Sequence, residues 1–74
     1  MDAKKTGSFI FERRKELNIT QKELAEKLYI TDKAISKWER GLSFPDISVL
    51  IPLSDILKVS LYDLLTGGYN DEQK

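Results

Sequence analysis

Residues 20–41 read TQKELAEKLYITDKAISKWERG, from Thr20 to Gly41. Two short helices begin in this stretch with the same grammar: an apolar residue, a threonine, then an apolar residue at the fourth helical position. Ile19, Thr20 and Leu24 form the first instance, and Ile30, Thr31 and Ile35 the second. A hydroxyl at the cap satisfies an orphan backbone N–H, while the flanking apolar pair staples the chain to the helix. Glu23 stands where it completes a capping box with Thr20. The spacing predicts helices over residues 21–28 and 32–40. Gly41 ends the second, since a residue without a Cβ suits the left-handed conformation after a helix. So short a connection forces the two helices to cross steeply. Ala25 is small where they approach, and Leu24, Leu28, Ile30, Ile35 and Trp38 supply the apolar wedge between them.

On a wheel of roughly 100° per residue centred on Ile35, Trp38 and Glu39 fall within about 60° and face inward. Ser36, Lys33, Lys37 and Arg40 fall between about 100° and 200°, as one exposed polar stripe. All but Ser36 are cationic. A helix with that stripe, backed by another helix, fits a DNA major groove, where Lys donates to guanine or to phosphate. A merely solvated helix face has the same composition; the paired-helix context is what favours nucleic acid.

Around this pair the chain reads as further helices. Helix 1 is expected over Gly7–Leu17, with Thr6 as cap, Ile10 and Leu17 on the buried face, and Asn18 as a left-handed stop. Helix 4 is expected over Ile47–Leu57, capped by Asp46 after Pro45 and bent at Pro52. Val59, Ser60 and Leu64 repeat the starting grammar for a short helix 5, Leu61–Leu65, closed by Gly67 and Gly68. No segment alternates with period two beside a turn signal, so strands are not expected. The reading is one all-α domain over residues 1–68, a compact five-helix bundle, followed by a polar tail over 69–74.

Composition narrows the function. The 74 residues include no Cys and no His. Disulfides and thiolate metal sites are excluded, a reducing compartment fits, and the commonest general base and metal ligand are missing. No triad, metal set or phosphate loop is discernible, so neither an enzyme, a cofactor nor a small-molecule site is expected. The N-terminus lacks a signal-peptide pattern and the apolar run 49–53 is too short for a bilayer, which points to the cytoplasm. Net charge is zero but unevenly placed: residues 1–41 carry ten Lys or Arg against seven acids, and residues 42–74 two against five. Such asymmetry lets a neutral molecule turn a positive face to phosphates.

Gln21, Leu24, Ala25, Ile35, Trp38, Glu39 and Gly41, with the closing SLYDLLTG at 60–67, resemble the Cro and phage-repressor type helix-turn-helix family, often called the XRE family. The resemblance covers about residues 7–67 and implies a lambda-repressor-like DNA-binding domain that regulates transcription. By that resemblance helix 3 is the reading helix, with Asp32, Lys33, Ser36 and Lys37 facing bases and Thr31 at its start. Gln21 opens helix 2 against a phosphate, and Arg40 and Ser43 fall where the family touches the backbone. Arg14 and Glu39 fall where it places a partly buried ion pair. It also implies a homodimer on a near-palindromic site, the contact lying around the start of helix 5; Leu61 and Tyr62 stand there, with Ile56 nearby. Ile56 and Leu61 also read as ordinary core. Where the family has Gly or Asn in the turn this chain has Tyr29, which either avoids positive φ or adopts it at a cost. The runner-up function on the same fold is a protein-interaction module, an antitoxin or a partner that sequesters a regulator. The chain reads as a stand-alone regulator or as the DNA-binding piece of a longer one.

Overall fold

A computed structural model describes residues 2–68, so the expected tail, 69–74, lies outside the described residues. Five helices follow one another: α1 Ala3–Glu16, α2 Gln21–Leu28, α3 Asp32–Glu39, α4 Ile47–Leu57 and α5 Leu61–Thr66. No strand occurs among the described residues. The all-helical fold is as the sequence implies, and α2 to α5 lie within a residue of their expected bounds.

The starting grammar is realised atom by atom. Thr20 Oγ1 accepts from Glu23 N at 3.0 Å, and Glu23 Oε1 in turn accepts from Thr20 N at 2.9 Å. Thr31 Oγ1 accepts from Ala34 N and Ser60 Oγ from Asp63 N. Asp46 caps α4 by accepting from Ser48 N at 3.0 Å and Ser48 Oγ at 2.6 Å. These two bonds hold the exposed Asp46 carboxyl below its ordinary pKa of 3.8. The stops also fall where the sequence puts them: Asn18, Gly41, Gly67 and Gly68 all have positive φ. Tyr29 resolves its two alternatives in favour of the left-handed one, at φ 59° and ψ 41°. Its backbone carries the strain and its ring is 95% exposed. The chain stays helical across Pro52, whose exposed ring leaves the Ser48 carbonyl without its helical partner.

Helix 1 departs from expectation. It begins at Ala3, with Asp2 as cap accepting from Lys4 N at 2.9 Å and Lys5 N at 3.3 Å. Thr6 is not the cap: it is buried, and its hydroxyl donates to the Leu64 carbonyl at 2.7 Å. A helix as short as α5 leaves most of its carbonyls without helical partners, so a hydroxyl from α1 serves better there than at a helix start. Arg13 acts alike on α4, donating from Nε to the Leu57 carbonyl at 2.8 Å and from Nη2 to that of Lys58. A cation at a helix C-terminus is favoured by the macrodipole as well.

The core is built from one face of every helix: Ile10, Leu24, Leu28, Ile35, Trp38, Leu53, Leu57 and Leu64 are all buried. The α1–α3 crossing is the tightest approach. A Cβ on Gly7 would run into the Trp38 carbonyl oxygen, so α1 lies directly against the α3 backbone. The reading helix proposed from sequence is thus held from behind by main chain as well as by side chains.

Candidate nucleic-acid interface

Helix 3 divides cleanly into two faces. Ile35 and Trp38 are buried on the side packed against α1 and α2, while Asp32, Lys33, Lys37 and Arg40 are exposed. Ser36 is half-buried at the edge of the exposed face. Its Oγ and carbonyl both accept from Arg40 Nε, at 3.2 and 3.3 Å. Thr31 is exposed at the start of α3 and Ser43 in the turn after it. The structure therefore brings Thr31, Asp32, Lys33, Ser36, Lys37 and Arg40 together on one helix, with Ser43 close behind.

Gln21 stands elsewhere in the chemistry. Its Nε2 donates to Glu39 Oε1 at 2.9 Å, so its amide belongs to a network that the sequence assigned to Arg14 and Glu39 alone. Arg14 and Glu39 meet through a fork: Nε to Oε2 at 2.6 Å and Nη2 to Oε1 at 3.0 Å. Their side chains are 8% and 5% exposed. Arg14 Nη1 donates further to the Ile19 carbonyl at 2.8 Å, and the Phe11 ring lies 5.4 Å from its Cζ. One carboxylate thus ties α1, the α1–α2 turn and the first residue of α2 to the end of α3. The shared bidentate geometry suits a buried pair, because charges taken from water need every lone pair and proton satisfied. Spacing gave no signal for Gln21, which lies 18 residues from Glu39.

The residues assigned from sequence to a dimer contact are split. Tyr62 is exposed and Leu61 is 38% exposed. Ile56 packs against the core. Ile47, at 80% exposure, and Ile51 stand out instead on the same side of the molecule. With Phe44, Pro45, Leu50, Leu61 and Leu65 they line an open apolar groove of about 450 Å³ between the start of α4 and α5.

Among the described residues no cluster of acids is placed to hold a metal ion, and no helix is long and apolar enough to cross a membrane.

Comparison with known proteins supplies the family. The Helix-turn-helix family model matches residues 10–64. The chain is 43% identical over 68 residues to the HTH-type transcriptional regulator DicA of Escherichia coli (strain K12), covering 92% of this chain and 48% of that protein. It is 44% identical over 50 residues to the HTH-type transcriptional activator BcrR of Enterococcus faecalis, covering 68% of this chain and 24% of the relative. The chain thus spans half or less of the length of these two relatives. Among solved structures, the P22 c2 repressor in complex with synthetic operator 9T superimposes with a TM-score of 0.80 at 39% identity, covering 84% of this chain and 94% of that one. With more than half its residues matched by the family model, this chain belongs to the helix-turn-helix family, of the XRE and phage-repressor type.

Proposed function

We propose that this domain is a sequence-specific DNA-binding regulator of transcription, acting in the cytoplasm, with α3 docked in the major groove. One observation carries the reading: the cationic stripe Lys33, Lys37 and Arg40 is exposed on a helix whose opposite face is fixed by buried side chains and by the Arg14–Glu39–Gln21 network. A reading helix must be rigid as well as charged, because base contacts tolerate little misplacement. In this reading Asp32, Lys33, Ser36 and Lys37 face base edges, and Thr31, Arg40 and Ser43 face phosphates. The backbone N–H of Gln21 serves a phosphate at the start of α2, while its side chain steadies the network. The likeness to a repressor solved on its operator supports this reading.

One reading helix spans few base pairs, so two copies on adjacent faces of the groove give specificity that one cannot. The apolar groove fits a second copy of the same domain. A two-fold contact sets each patch against its own copy, and the groove lining carries no charge to repel itself. The interface we propose therefore runs through Leu61 and Tyr62 with Ile47 and Ile51, Ile56 supporting it from the core. Half-sites then lie about 34 to 36 Å apart.

Selection from a random duplex pool tests the function. We expect a short near-palindromic site, bound with an affinity that falls steeply with salt. No enriched site, together with a salt slope near zero, would leave a protein-interaction module as the function of this fold.

A further inference from the structure

The extra first turn of α1 carries Lys4 to an unexpected place. A Cβ on Gly41 would lie 2.6 Å from Lys4 Cγ and 3.0 Å from Lys4 Cα. The stem of Lys4 thus lies across Gly41, in the position a side chain there would otherwise fill. Gly41 is required twice over, by its φ of +75° and by this close approach. Lys4 is exposed, and among the described residues its ammonium has no ion-pair partner. The one nearby acid on its own turn, Asp2, directs its carboxylate to the backbone N–H groups of Lys4 and Lys5.

Gly41 directly follows Arg40, at the C-terminal end of α3. When such a helix docks, its N-terminal residues meet the base edges and its far end meets the wall of the groove, which is phosphate. We infer that Lys4 is a phosphate-binding residue of the DNA interface, placed beside the end of the reading helix by the capped first turn of α1. With Arg40 it forms a two-cation clamp on one strand of the backbone, drawn from helices at opposite ends of the sequence segment that binds. The contact is electrostatic and blind to sequence, so it strengthens binding to every duplex. The inference rests on the DNA-binding reading above.

The test is a salt series on the selected site and on an unrelated duplex, for wild type, Lys4→Gln, Lys4→Arg and Lys58→Gln. Lys4→Gln keeps most of the stem on Gly41 and removes the charge. Lys58 caps α4 and its carbonyl meets Arg13, about nine residues or roughly 13 Å along α1 from Lys4, so it serves as a distant cation. Lys4→Gln should lower the slope of log K against log salt by about 1 and weaken both duplexes about fivefold to tenfold near 0.1 M salt. Lys4→Arg should match wild type, and so should Lys58→Gln. A normal slope in Lys4→Gln, or a slope in Lys4→Arg as low as in Lys4→Gln, overturns the inference while leaving the DNA-binding reading intact. Wild type without salt-dependent binding overturns both.

Discussion

The two sides of this small domain are built on opposite plans. At the α1–α3 seam nothing is left over: Gly7 brings helix backbone against the Trp38 carbonyl, and every polar group of Arg14, Glu39 and Gln21 that is turned inward has a partner. Among the described residues no buried side-chain nitrogen or oxygen lacks one. At the α4–α5 face apolar surface is left over, with Ile47, Ile51 and Leu61 turned to solvent around an open groove and Tyr62 exposed on α5. The first arrangement tolerates no change and fixes one orientation of α3. The second costs little to alter within a single domain, because its side chains complete nothing there. A seam that sets α3 and an apolar face that, in the proposed function, takes a second copy are separable devices. Changes in the seam should therefore act on folding, and changes on the face should act on pairing.

The largest effect should come from the buried charges. Glu39→Ala leaves Arg14 and the Gln21 amide without their acceptor in a largely buried site, and should cost about 3 kcal/mol of stability, the low end for a broken buried pair. Removing both partners should cost less than the sum of the two single changes, with a coupling above about 1 kcal/mol in a double-mutant cycle by denaturant melting. Coupling near zero would mean the pair is a surface ornament after all.

Gly7→Ala should come next. Alanine gains about 1 kcal/mol of helix propensity over glycine. Its methyl meets a backbone carbonyl that no rotamer change can move, however, and overpacking of that kind costs up to about 3 kcal/mol. The net expectation is a loss of about 2 kcal/mol, read by the same melts; a stabilised Gly7→Ala would show the seam to be looser than described.

The sequence carried the pieces of this contrast unequally. Caps at Thr20, Thr31, Asp46 and Ser60 are legible because a cap is local chemistry, settled within three residues. The start of α1 is not, since Asp2 and Thr6 are both competent caps and the choice between them turns on the Leu64 carbonyl far along the chain. The exposed stripe of α3 is legible from its phase, its apolar and cationic residues being cleanly separated. Helix 4, ISVLIPLSDIL, is apolar nearly all round, so its sequence offers no phase to tell Ile56, which packs inward, from Ile47 and Ile51, which do not. Gln21 and Gly7 owe their roles to partners brought near only by the crossing of helices.

On the open face, Tyr62→Asp should change stability by no more than about 0.5 kcal/mol, as exposed substitutions do. It should nonetheless abolish cooperative occupation of paired half-sites, because each copy then brings a charge against its partner's. Footprints in which the variant still fills both half-sites cooperatively would move the interface elsewhere.

The smallest effect concerns acid. Asp46 has its pKa lowered in the folded domain, first by the Ser48 hydroxyl and then by the Ser48 N–H. A carboxyl depressed by folding stabilises the fold above its unfolded pKa, and that contribution is lost as pH falls through the folded value. Asp46→Asn keeps a good cap and removes the titration. The variant should therefore lose slightly less stability than wild type between about pH 5 and pH 2, and equal losses would assign the acid sensitivity of the domain to other groups.

The central claim is that α3 reads bases, and Lys37 projects from the middle of its stripe. The decisive quantity is the ratio of affinities for the selected site and an unrelated duplex, measured at one salt concentration for wild type and Lys37→Ala. Loss of a base contact should weaken the site by about 1 to 3 kcal/mol and the unrelated duplex far less, so the ratio should fall by about fivefold or more. A Lys37→Ala domain that loses affinity equally for both DNAs, or for neither, would contradict the account.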